Sequence, residues 1–264
     1  MNASRRKLAA AVLAALLVAP AAALAGRTCE TQPLDVHTVR QSMELAERTA
    51  RRLDASGAQV VVIARAGQDL SRHNLSWSHM GFAYRESAGS PWRVVHKLNH
   101  CGTASGALYR QGLGEFFLDR MFRYESAYVV LSPEAQSRLL PLLRENARLA
   151  RWHVEPYNMV AYPWALRYQQ SNQWVLETIA GGMEPAAGTR AQAQGWLQMR
   201  DYRPTVLRLS ALERLGARVG TAHIAFDDHP DAKRFSGRIE TVTVDSAFSW
   251  LQRSGLGGPT IRVS

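Results

Sequence analysis

The stretch from Ser76 to Cys101 alternates too regularly to be helical. From Trp77 to Glu86, Trp77, His79, Gly81 and Ala83 fall on one side, and Ser78, Met80, Phe82 and Tyr84 on the other. That is the period of an extended strand. Ser87-Ala88-Gly89-Ser90, closed by Pro91, is a turn signal, and Trp92 to Leu98 forms a second arm. A loop at residues 87–90 sets Glu86 opposite Pro91, Gly81 opposite His96 and His79 opposite Leu98. Opposed residues point the same way, so His79 and His96 become diagonal neighbours about 7 Å apart, with space left at Gly81 beside His96. A slip of one residue would put the two rings on different faces. The plain reading is a pair of half-buried strand histidines; the functional reading is a site.

The remaining chain supplies helices around this hairpin. Asp35 caps an amphipathic helix in which Val36, Val39, Met43, Ala46, Ala50 and Leu53 step by three and four before Gly57. Val60 to Ile63 and Ala127 to Leu131 read as strands, and a short helix is expected around Leu108 to Leu118. Ser132-Pro133 opens a helix to about Trp152 that Pro141 should kink. Ser171 caps another, ended by Gly181-Gly182. Arg190 to Met199 is helical, and Ser210-x-x-Glu213 is a capping box. Thr221 to Phe226 and Ile239 to Val244 read as strands, and Asp245 caps a last helix to Gly255. The sum is α+β, an antiparallel sheet packed with helices, with no repeat and no interdomain linker.

Residues 1–25 read as a secretory signal peptide: Arg5, Arg6 and Lys7, an apolar run from Leu8 to Val18, and the Ala23-Leu24-Ala25 cleavage site. The apolar run is too short for a permanent membrane span. Residues 26–264 are then expected as a single exported domain, soluble and periplasmic, without a transmembrane segment. Of 264 residues 32 are Lys or Arg and 22 Asp or Glu, a net charge of +10. The charge is nearly all arginine and scattered, without a basic stripe carrying aromatics, so nucleic acid is not an expected partner. Anionic envelope polymers or lipid headgroups are. In an oxidising compartment the two cysteines, Cys29 and Cys101, read first as a disulfide; the rival is a reactive Cys101 thiol near His96 and His100.

His79-Met80-Gly81 on one strand, His96 on the next, and a later helix starting Ser171-Asn172-Gln173-Trp174-Val175-Leu176 resemble the circularly permuted NlpC-type papain-like superfamily, which includes lecithin retinol acyltransferase. The likeness spans roughly residues 58–182. It implies a permuted papain-like fold with His79 as base, His96 as its polar partner and a nucleophile at the helix start, where the helix dipole favours a thiolate. Here Gln173 stands where that family has cysteine. The whole chain also resembles an uncharacterised family of exported proteobacterial proteins, a domain of unknown function.

Two functions follow as expectations. One is a papain-like hydrolase or acyltransferase acting on an envelope amide or ester, with His79 as base and Ser171, or less readily Cys101, attacking. The other, favoured by the missing cysteine, is a binding or structural envelope module for a polymer, lipid or peptide ligand. Asn172, Gln173, Gly81 and Tyr168 are then binding candidates, the start of the 171–182 helix packs against the histidine face, and Gln173 donates a hydrogen bond there. Asp227-Asp228-His229 reads as a polar turn rather than a metal site, and no cofactor is expected.

Overall fold

The computed structural model describes residues 33–264. The expected signal peptide and Cys29 lie outside the described residues. Helix α1 (Val36–Ala55) begins at Asp35, whose carboxylate accepts the Thr38 N–H at 2.8 Å. Its buried face is not the stripe of large residues. Val36, Val39 and Met43 are exposed, while Thr38, Ser42, Leu45, Ala46, Thr49 and Leu53 face inward. The Thr49 hydroxyl meets that of Ser126, on the sheet, at 2.8 Å, and the Thr38 hydroxyl donates to Asp35 at 3.0 Å.

The following elements are β1 (Val60–Ala66), β2 (His79–Tyr84), β3 (Arg93–Asn99), β4 (Gly106–Gly112), α2 (Leu113–Phe117), β5 (Arg123–Leu131), α3 (Pro133–Arg144), α4 (Asn146–Leu149) and α5 (Ser171–Met183). After them come α6 (Arg190–Met199), β6 (Thr205–Arg208), α7 (Ala211–Gly220), α8 (Asp231–Phe235), β7 (Arg238–Thr241), α9 (Val244–Arg253) and β8 (Gly257–Val263). The fold is α+β. Six strands form an antiparallel sheet in the order β4-β3-β2-β1-β5-β8, and β6 pairs with β7 in a separate two-stranded sheet.

The hairpin has the expected register, with Phe82 opposite Val95 and Tyr84 opposite Arg93. Its alternation does not mark a wet face. Both faces of β2 are covered, so all six of its residues are buried. On one side Val61, Ile63, Ala83 and Val94 pack with α1 and α2. On the other, Val62, Met80, Phe82 and Val95 pack with α3, α5, α6 and α9. There the Phe82 and Trp174 rings meet edge to face at 5.8 Å, an arrangement that adds about 0.5–1.5 kcal/mol beyond area burial. A smaller apolar cluster, including Leu209, Ala217, Phe226 and Ile239, holds β6, β7 and α7 together.

Several local expectations are corrected. Residues 106–112 form edge strand β4, not the start of a helix, and only Leu113–Phe117 is helical. The helix expected to reach Trp152 stops at Arg144, because Glu145 is extended, and Pro141 stays inside it. Gly181 and Gly182 lie within α5 rather than ending it. A Cβ on Gly181 would come within 2.0 Å of the Trp152 ring, and one on Gly182 within 2.5 Å of Leu139. Gln170, not Ser171, occupies the N-cap of α5. Residues 221–226 are not a strand. Thr243 caps α9 through a capping box with Ser246, which leaves the Asp245 carboxylate to accept the Ser76 N–H at 3.1 Å at the mouth of the hairpin.

Candidate functional site

Strand β3 feeds two polar clusters on opposite faces of the sheet. His96 points to the α2 side, and Lys97 to the α5 side. The His96 cluster is a chain of four groups. Gln111, on β4, lies opposite Val94, diagonal to His96 and on its face. Glu115 is on α2 one turn further on. Its carboxylate can only accept, so the Gln111 amide N–H points to it at 3.0 Å and the Gln111 carbonyl faces His96. The His96 Nε2–H donates to that carbonyl at 2.7 Å. Burial, with Arg65 nearby, pulls the His96 pKa down to about 4, so its Nδ1 is an unprotonated acceptor at neutral pH. The His79 Nε2–H donates to it at 2.8 Å. Burial, then the neighbouring His96 and Arg65, hold His79 well below the usual histidine range. Its Nδ1 therefore carries a lone pair and meets no hydrogen-bond donor among the described residues.

Sequence fixes this geometry. Gly81 is required under His96: a Cβ there would lie 2.8 Å from the His96 Cβ and 2.8 Å from the Val95 carbonyl oxygen. Phe116 packs against both rings, with centroids 6.0 Å from His79 and 5.2 Å from His96. His96 is completely buried; His79 is 9% exposed and lines a cleft of about 660 Å³ at the end of the sheet. The cleft runs between the start of β2, the start of α5 and the β6–β7 unit. Trp77, Leu209, Phe226 and Val242 contribute much of its apolar wall.

The helix start does not complete a papain-like site. Trp174, Val175 and Leu176 pack on the Met80 and Phe82 face, opposite the two histidine rings. The expectation that α5 packs against the histidine face is thereby corrected. Strand alternation sends Met80 towards the helix and His79 away from it. Gln173 is also misplaced by that expectation. It is buried away from the cleft and donates to the Pro163 carbonyl at 3.2 Å and Glu177 at 3.1 Å. Asn172 does line the cleft, its Oδ1 accepting the Met80 N–H at 3.1 Å. Ser171 lines it too, with its hydroxyl 3.5 Å from that of Tyr157 and not bonded to either histidine. Tyr168 stands outside the cleft under the Arg167 guanidinium, 5.0 Å from the ring. Cys101 is exposed in the turn after β3, at the cleft edge, and its expected partner Cys29 lies outside the described residues.

The second cluster was not foreseen. Glu177, completely buried, accepts from Arg190 at 2.7 and 3.0 Å, Gln194 at 2.7 Å, Gln173 at 3.1 Å and Gln169 at 2.5 Å. Lys97 donates to Gln169 at 2.9 Å and to the Val154 carbonyl at 2.6 Å. Burial, then Arg190, lower its pKa to about 7 against the opposing pull of Glu177. This network ties β3 to α5 and α6 and does not line the cleft. Asp228 and His229 are spent on each other at 3.0 Å, and His229 also meets the Glu240 carbonyl at 2.9 Å. No helix among the described residues is long and apolar enough to cross a membrane.

No curated protein and no solved structure matches the chain. Residues 52–251 match a family described as an uncharacterized protein conserved in bacteria. The match takes in the hairpin, both polar clusters and the cleft walls, and the chain belongs to that family, DUF2145.

Proposed function

We propose that this protein is an exported, periplasmic binding module whose cleft takes an amphiphilic envelope ligand. The carrying observation is a base without a nucleophile. His79 offers a fixed lone pair at a cleft whose wall is mostly apolar, with Arg65, Asp69, Arg72, Asp119 and Arg120 also lining it, and among the described residues no hydroxyl or thiol lies within hydrogen-bond reach of its ring. Ser78, its neighbour, is engaged by the Gly67 N–H at 2.8 Å. An apolar ligand body along Trp77, Leu209 and Phe226 with a hydroxyl or N–H at His79 suits this lining. The papain-like ancestry is not carried into this reading, since the histidines and the helix start face opposite ways. A Cys29–Cys101 disulfide holding the N-terminal segment at the cleft edge belongs to the same proposal. Free-thiol titration of the denatured, unreduced protein should find none, and two thiols would refute the bond.

The alternative is a hydrolase or acyltransferase on an envelope amide or ester, and the histidine relay is what favours it. Two experiments separate the readings. Displacement of a hydrophobic fluorophore should show 1-decanol binding about five- to tenfold more tightly than decyl methyl ether, the value of one hydrogen bond to His79. Serine-directed fluorophosphonate and cysteine-directed iodoacetamide should leave the oxidised exported protein unlabelled. Stoichiometric labelling of Ser171 would overturn the binding reading in favour of catalysis.

A further inference from the structure

The cleft holds a second histidine, His223, in the segment between α7 and α8. Its residue is 7% exposed, and its carbonyl accepts the Met159 N–H at 2.9 Å, which fixes the backbone. The ring tilts over Tyr157 with centroids 6.3 Å apart. Neither ring nitrogen has a hydrogen-bond partner among the described residues. Nδ1 is sealed in the protein; Nε2 is not, so it is the nitrogen that the cleft can reach. Burial lowers the pKa, so the ring is neutral at pH 7. A neutral histidine ordinarily carries its proton on Nε2, and no acceptor beside Nδ1 reverses that here. His223 therefore offers a donor, where His79 offers an acceptor. No ring contact joins the two histidines, which stand on different walls. Met159, Val160 and Ile224 make the cleft apolar around His223.

We propose that His223 is the second polar anchor of the cleft, donating its Nε2–H to the acyl carbonyl of a bound lipid. The ligand is then an uncharged acyl ester with a free hydroxyl, of which a monoacylglycerol is the simplest. The hydroxyl rests on the cleft reading above, which gives it to His79; the carbonyl rests on His223. An unpaired polar group is costly to bury, and a ligand acceptor at Nε2 relieves part of that cost. One neutral N–H in an apolar surround suits an uncharged acceptor. A carboxylate would bring a charge that His223 cannot balance. An amide would bring its own N–H into the same surround, whereas an ester carbonyl brings no hydrogen to place. A few polar groups set in an apolar wall are what orient a lipid-like ligand.

The test is fluorophore displacement by two probes that differ only in the carbonyl, 1-decanoylglycerol and 1-O-decylglycerol. Wild type should bind the ester about five- to tenfold more tightly than the ether, the value of one hydrogen bond. In His223→Phe that ratio should fall to about one, while the advantage of 1-decanol over decyl methyl ether stays. The variant loses no hydrogen bond within the protein, so its melting temperature should not drop. Imidazole ¹⁵N spectra of wild type read the same contact without a variant: the ester should shift the His223 Nε2 resonance and the ether should not. Equal affinity of wild type for ester and ether would overturn the assignment. So would an ester preference that survives in His223→Phe, or a His223 Nε2 that the ester leaves unmoved. If 1-decanol and decyl methyl ether bind alike while the ester preference holds and vanishes in His223→Phe, the His79 contact falls and the His223 anchor stands. If 1-decanol keeps its advantage while ester and ether bind alike, the His223 anchor falls alone.

Discussion

Substituting Gly81→Ala tests the packing that builds the histidine relay. The new Cβ would sit 2.8 Å from the Val95 carbonyl oxygen and 2.8 Å from the His96 Cβ. Ordinary contacts are about 3.5–4.0 Å, so β3 must retreat by roughly 0.7–1.2 Å. Neither neighbour is the end of a flexible side chain, so no rotamer relieves the clash. Overpacking of this kind costs about 1–3 kcal/mol. Replacing glycine in a strand returns up to about 1 kcal/mol through lost freedom in the unfolded chain. The net expectation is a loss of about 1–2 kcal/mol, or roughly 2–8 °C in Tm for a chain of this size. Urea denaturation should show a lower midpoint with an unchanged slope. Gly195→Ala, inside α6 with open space around its Cβ, is the control and should be neutral or stabilising. A Gly81→Ala midpoint equal to or above wild type would refute the argument.

Three other outcomes follow. Gly181→Ala, which drives a Cβ into Trp152, should destabilise by about 2–4 kcal/mol, whereas Gly216→Ala, exposed on α7 with nothing near, should stabilise by about 0.5–1 kcal/mol; equal signs in chemical denaturation would contradict the packing. Glu177→Gln should cost about 3–5 kcal/mol, because it leaves the buried Arg190 without its anion, and calorimetry showing a loss below about 1 kcal/mol would contradict that role. Acid should weaken the fold early. His79 and His96 are neutral in the folded state but protonate near 6.5 once unfolded, so their contribution is full above that pH and is lost as pH falls, for His96 as it approaches about 4. Lys97 acts alike at higher pH: stability should rise from pH 7 towards 10.5, and Lys97→Met should flatten that slope in melts between pH 7 and 9.5.

The hairpin was legible because its signals were local: alternation, a four-residue turn and a glycine opposite a histidine are all set within 26 residues. The helix caps at Asp35 and Ser210 were legible for the same reason. Strand β4 was not, since Gly106 and Gly112 bound a stretch whose identity comes from pairing with β3 rather than from its own pattern. Losing β4 hid Gln111 and Glu115, and with them the relay that fixes the His79 tautomer. The α5 error had another cause. A motif gives the order of residues along the chain, but the face each one meets depends on strand parity, and Met80 rather than His79 took the helix side. The Lys97–Glu177 network joins residues about 80 apart in sequence, with no local spacing to betray it.

The central claim is that His79 presents an unprotonated Nδ1 to a ligand in the cleft. Imidazole ¹⁵N resonances of ¹⁵N-histidine-labelled protein at neutral pH, recorded with and without saturating 1-decanol, test it directly. The account predicts that His79 is protonated at Nε2 and bare at Nδ1, and that decanol shifts the Nδ1 resonance in the direction of an accepted hydrogen bond. It also predicts that His96 stays as it was and that decyl methyl ether leaves Nδ1 unmoved. A protonated Nδ1 in the free protein, or a bare Nδ1 that decanol binding does not move, would contradict it.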